Sequence, residues 1–233
     1  MKDSPSHILL NFHQKLSKNS KESNRIISVL VNTFNCSDQP NLIYKYWANL
    51  ITKPSQVIKI IEEISPGKTD LLLPEIRELD KNISKVDFSG NPSNLLKHFN
   101  VKVVDRLRLC SAEIEEKHSF KVIDSIDDAL IKLNDLIEDI NSSDLESNIK
   151  SHIVHLLSVV KVDLININIT GSEIIKVDIE TVTGATIINL KSINEPTFTN
   201  IMSYLSYLVN VLALFDSYHG GILSSIPTKL LGN

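Results

Sequence analysis

The sequence predicts an all-α fold, a multi-helix bundle of about nine helices, and three observations lead there. Apolar residues recur at the i, i+3, i+4 spacing of a buried helix face along most of the chain. Proline and glycine mostly stand between these periodic runs rather than inside them. The alternation that a half-buried strand requires is confined to one stretch, where Val160, Val162 and Leu164 sit two apart. That stretch, at about 160–188, supports the alternative, an α+β fold with one β-hairpin. The expected organisation is a single helical domain over 1–233, with the loop 87–94 as the place for any subdivision.

After Ser4-Pro5-Ser6 the positions Ile8, Leu9, Phe12 and Leu16 define a first helix face. A second helix runs from about Glu22 to Phe34, and a third places Ile43, Tyr46, Trp47, Leu50 and Ile51 on one side. Pro54 stands where a fourth starts, and Pro66-Gly67 ends it. The "SPGKTD" that follows contains the Gly-Lys-Thr of a phosphate loop. The glycine such a loop needs five residues earlier is Glu62, and the preceding run is helical, so the spacing reads as a turn with Thr69 or Asp70 as a cap.

Pro74 opens a short helix, Gly90-Asn91-Pro92 marks a loop, and Val103, Leu107, Cys110 and Ile114 form the seam of the next helix. Ile126, Leu130, Leu133, Ile137 and Ile140 follow at the same period. Ser143-Asp144-Leu145-Glu146 has the form of a capping box. From it Ile149, Ile153, Leu156, Val160, Leu164 and Ile167 continue unbroken to Gly171. The dense Val, Ile and Thr around Gly171 suit a strand, but a strand there would interrupt a periodic helix with no breaker. Helix, turn, helix is therefore expected, with Lys176, Asp178 and Glu180 outside the apolar face and Gly184 as the C-terminal cap.

Between Glu195 and Asp216 lie twenty residues without a charge, in which Thr199, Ser203, Ser206 and Asn210 make one small polar stripe. The length approaches a membrane span, yet no Lys or Arg flanks it. The expectation is that this helix, buried on most sides, forms the centre together with the helix from Asp144, with Tyr204, Tyr207, Leu208 and Val211 as a candidate interaction surface. Insertion of 196–215 into a membrane is the alternative.

Charge is uneven: residues 1–60 hold eight Lys/Arg against three Asp/Glu, and residues 61–150 hold twelve against nineteen. Lys15, Lys18, Lys21 and Arg25 recur at helix-like spacing as a candidate basic face. A nucleic-acid footprint would be denser and carry aromatics between the charges, so nucleic acid is disfavoured as a partner. Cys36 and Cys110 form no metal-binding spacing, which suits buried thiols in a reducing cytoplasm. The apolar run in "MKDSPSHILLNF" is too short for a signal peptide. Abundant Ile, Asn, Lys and Ser suggest an AT-rich, bacterial genome.

No catalytic, cofactor-binding or metal-ligating set is expected. Glu115 and His118 have the i, i+3 spacing of a di-iron helix, but the second pair is missing. His152 and His155 have no carboxylate one turn away, and His219 has no identified nucleophile or acid. The expected role is non-enzymatic: interaction, assembly or regulation through self-association into a homo-oligomer or through a protein partner. A membrane-acting effector is the alternative, and an enzyme with a dispersed site the second.

Overall fold

The computed structural model describes residues 4–21, 23, 25–37, 39–117 and 125–217. The described residues are helical without any strand, so the hairpin at 160–188 does not form. The stretch instead belongs to two helices, α10 (Ser147–Thr170) and α11 (Glu173–Ile188), joined at Gly171. Gly171 has φ 79° and ψ 174°, a backbone region open essentially only to glycine. Its amide closes α10 by donating to the Ile167 carbonyl at 2.8 Å.

Twelve α-helical segments are described, more than the nine expected. The first eight are α1 (Pro5–Asn19), α2 (Ile26–Thr33), α3 (Leu42–Leu50), α4 (Lys53–Ile64), α5 (Thr69–Leu72), α6 (Pro74–Ile83), α7 (Pro92–Leu96) and α8 (Val101–Lys117). Then come α9 (Ser125–Ser142), α10, α11 and α12 (Glu195–Ser217). The surplus lies mainly in α5 and α7, single turns too short to show a hydrophobic period. α7 begins inside the expected loop, where the Asn91 side chain accepts from the Ser93 amide and Pro92 supplies the first helical φ.

Local chemistry explains other ends. Ser4 caps α1 by accepting from the His7 amide. Two expected caps are corrected. Ser143 is not a capping box, because its hydroxyl donates backward to the Ile140 carbonyl at 2.6 Å and α10 starts only at Ser147. Thr69 likewise donates back to the Pro66 carbonyl.

Gly184 is also reassigned. It is an interior residue of α11, which continues four residues beyond it, and a Cβ built there meets nothing within 4 Å. Gly184→Ala is therefore expected to raise stability by roughly 0.5–1 kcal/mol, since alanine loses less backbone entropy in a helix. Urea denaturation of the two proteins measures it.

The buried side chains form two clusters. The first joins α1 to α8 around Phe12, Phe34, Tyr46 and Leu50. The second joins α9 to α12 around Leu133, Leu157, Val182 and Leu208. The loop 87–94 lies within the first cluster, between buried Ile83 and Leu95. α10, about 36 Å long at 1.5 Å per residue, packs on α1 and α3 as well as on α9 and α11. Its Ile169 belongs to the first cluster, against which Val159 and Val162 also pack, and its Ile153, Leu157, Val160, Leu164 and Ile167 belong to the second.

α10 is thus the central helix, whereas α12 is not. α12 packs on α9 and α11 and turns the stripe Thr199, Ser203 and Asn210 outward, with Ser206 half-buried. Among the described residues the helix apolar and long enough to cross a membrane is α10 rather than 196–215, and half of its apolar window is buried within the protein.

Candidate functional site

The polar groups with the most unusual surroundings lie where α3 meets the α10–α11 corner. α3 carries Lys45 and Tyr46 on adjacent positions, so one side chain reaches along the corner while the other enters the core. α10 presents Asp163, fully buried, and α11 presents Asp178, 13% exposed. Lys45 Nζ donates to Asp163 Oδ2 at 3.1 Å and to Asp178 Oδ2 at 2.6 Å. The Tyr46 hydroxyl donates to Asp163 Oδ1 at 2.5 Å.

One turn along α10, Asn166 Nδ2 donates to the Phe34 carbonyl at 2.5 Å. Asn49 of α3 donates to the Thr170 carbonyl at the end of α10. A second ion pair, Lys53 Nζ to Glu173 Oε2 at 2.5 Å, joins α4 to the start of α11.

The electrostatics follow from burial. Loss of water, and then the neighbouring Asp178 carboxyl, push the Asp163 carboxyl up to about 8, against the opposing pull of Lys45 and Tyr46. The Tyr46 phenol is raised well above its ordinary value, first by burial and then by Asp163, so it stays protonated and acts as a donor. The site can hold a proton between two carboxyls and bind three helices together. The carboxyl, ammonium and phenol groups are turned toward one another, whereas the buried Asn166 Oδ1 has no hydrogen-bond partner among the described residues.

A second arrangement has the order of contacts found in an activated nucleophile. Ser4 Oγ lies 3.1 Å from His7 Nδ1, and His7 Nε2 lies 3.3 Å from Glu115 Oε1. Ser4 is, however, 2% exposed; its hydroxyl caps α1 and is 2.9 Å from Ser6 Oγ, which accepts from Ser111 at 2.8 Å. A carbonyl substrate has no approach to that oxygen, and the group holds α1 against α8.

The sequence candidates are distributed differently. Tyr204, Leu208 and Val211 lie inside the second cluster, and half-buried Tyr207 has Lys132 Nζ 3.8 Å from its ring centre. These four are occupied by packing within the chain, because the apolar side of α12 is the side that α9 and α11 cover. Lys15 and Lys18 are exposed on α1, but α1 ends at Asn19, so Lys21 and Arg25 follow in the connection to α2. His152 and His155 are both exposed on α10. His118 and His219 lie outside the described residues. Lys68 of the "SPGKTD" stretch is committed to Glu113 Oε2 at 2.6 Å, and Glu62 to Arg77 at 2.8 Å.

Sequence reading missed the buried cluster. Asp178 was expected outside the apolar face and instead turns in toward Lys45. A signal was available in α10: Asp163, Asn166 and Thr170 recur at i, i+3, i+7 in a helix otherwise apolar on that side, and all three are buried. Comparison of the chain with protein-family models, curated proteins and solved structures finds no match.

Proposed function

We propose that the chain is a non-enzymatic interaction module, an assembly or regulatory protein that self-associates or binds a protein partner through the outward face of α11. The observation that carries this reading is an apolar stripe that none of the described elements covers. Val177, Thr181, Gly184 and Ile188 follow one another at spacings of four, three and four residues, and Ile187 and Leu190 extend the stripe. Ile188 is 84% exposed and Val177 58%. Scattered apolar side chains are ordinary on a surface, but several aligned on one helix cost solubility unless something covers them. Gly184 in the middle leaves room for another backbone to come close.

Glu180, exposed beside this stripe, gives it a polar rim, as interfaces of moderate size have. α12 is the weaker choice because its own apolar side is already packed. A cytoplasmic setting accords with the two cysteines, which are buried free thiols; burial pushes the Cys110 thiol up to about 12, so it stays unreactive.

The test is sedimentation velocity from micromolar to millimolar protein, on the wild type and on Val177→Asp/Ile188→Asp. The wild type is expected to shift toward a dimer with concentration while the variant stays monomeric with unchanged helical circular dichroism. A wild type that stays monomeric throughout removes self-association from the reading. Equal association by the folded variant would place the contact elsewhere.

A further inference from the structure

Two carboxyl groups and one ammonium meet at the corner of α3, α10 and α11, and the phenol beside them is neutral. With every carboxyl ionised, one negative charge is in excess, and Asp163, which carries part of it, has no exposure to water. Such an excess is costly away from solvent. A single proton held by the carboxyl pair cancels it and turns a repulsion into a hydrogen bond.

We propose that Lys45, Tyr46, Asp163 and Asp178 form a proton-dependent latch: with a proton held between the two carboxyls α3 is clamped to the α10–α11 corner, and loss of that proton loosens the clamp. The latch is independent of the α11 stripe.

The geometry supports each half of the device. Lys45 Nζ reaches both carboxyls, at 3.1 and 2.6 Å, so it balances one negative charge but not two. Tyr46 occupies Asp163 Oδ1, which directs the proton to the side of Asp163 that faces Lys45 and Asp178. The groups that face Asp163 are Lys45 and Tyr46 from α3 and Asp178 from α11, while Cys36, ahead of α3, acts on Tyr46. α1 meets α10 through the uncharged contact of Asn11 with the Asn168 carbonyl, and α9 meets it through apolar side chains of the second cluster and, at the far end of α10, through Lys150 donating to the Asn141 carbonyl. Lys53 and Glu173 neutralise each other nearby.

The direction of the pH response follows. An unfolded aspartate releases its proton near 3.8, whereas folded Asp163 holds it to about 8. Between those values the folded chain binds more protons than the unfolded one, so stability is greatest on the acid side and is lost as pH rises toward 8. The folding constant falls by up to tenfold per pH unit across that window. His13 has the opposite tendency: burial, then Arg108, lower its imidazole, and its contribution is confined below its ordinary 6.5. Because His7 also faces a carboxylate, 3.3 Å from Glu115 Oε1, the latch is read between 6.5 and 8 as the difference in slope between the wild type and Asp163→Asn.

Urea unfolding followed through Trp47 reads the constant across that window. The wild type is expected to lose roughly sixfold per pH unit more than Asp163→Asn, which imitates the protonated carboxyl. A flat wild type, or a folded variant that keeps the slope, overturns the proposal. Should the variant not fold, carboxyl ¹³C resonances of the aspartate-labelled wild type decide alone. One aspartate titrating above 6.5 is expected, and all of them titrating below about pH 5 refutes it. Hydrogen exchange in Leu42–Leu50, corrected for its intrinsic pH dependence, tests the clamp itself. Protection should fall as the proton leaves; unchanged protection overturns the mechanical part.

Discussion

Phe12→Ala is expected to destabilise the protein by about 3–5 kcal/mol, the cost of emptying a large aromatic site in a packed core. Phe12 is fully buried and stands at the centre of an aromatic group. Its ring lies 5.6 Å from Phe34, 5.7 Å from Phe99 and 6.3 Å from Trp47, so α1, α2, α3 and the turn before α8 all rest on it. Alanine leaves a void whose walls come from four separate elements, and no single side-chain rotation refills it. Trp47 is the only tryptophan and also stacks edge-on against Phe88 at 5.4 Å. Its fluorescence in urea therefore measures the loss directly, as a lower midpoint, and a shift in the folded emission would mark the altered contact. A cost under about 1 kcal/mol would mean that the cluster collapses around the void far more than an interior of this density normally allows.

Lys45→Met is expected to cost about 3 kcal/mol at pH 8 and clearly less at pH 5, because it leaves two carboxyl groups facing each other without their cation. Methionine keeps much of the apolar stem, so lost packing is a minor part of the effect. At acid pH the remaining carboxyls share a proton and the repulsion is relieved; above the Asp163 transition it is not. Urea unfolding at the two pH values gives both numbers. An equal loss at both would assign the effect of Lys45 to packing rather than charge.

The helices were largely legible. Val103, Leu107, Cys110 and Ile114 are all buried on α8, as their spacing requires, and Ile126, Leu133 and Ile140 are buried on α9. Gly171 could be recognised as a break because a periodic run enters and leaves it. Gly184 could not be told from it by type alone. One lies at a positive φ between helices and the other at an ordinary helical position inside one. Ser143 shows the same limit: a hydroxyl can cap forward or bond back to its own preceding turn, and the observed bond to Ile140 is the backward one. The uncharged run of α12 reads as central only if apolar content measures burial. Thr199, Asn200, Ser203 and Asn210 of that helix face water, since small polar residues make an adequate solvent face without any charge.

The candidate site lay beyond such reading for a related reason. Tyr46 was correctly placed on a buried face, but its hydroxyl needs a partner 117 residues away in Asp163, and Lys45 reaches Asp178 across 133 residues. Periodicity along a helix reports which side is buried and carries no information about the helix it is buried against. By itself the sequence determined the all-helical class, most of the helices and their apolar faces, because those depend on neighbours three and four residues apart. Only the tertiary structure decided that α10 is central and α12 is not, that none of the described elements covers the α11 stripe, and that two carboxyls share one lysine. Each depends on which faces meet, and that is settled by packing among helices far apart in the chain.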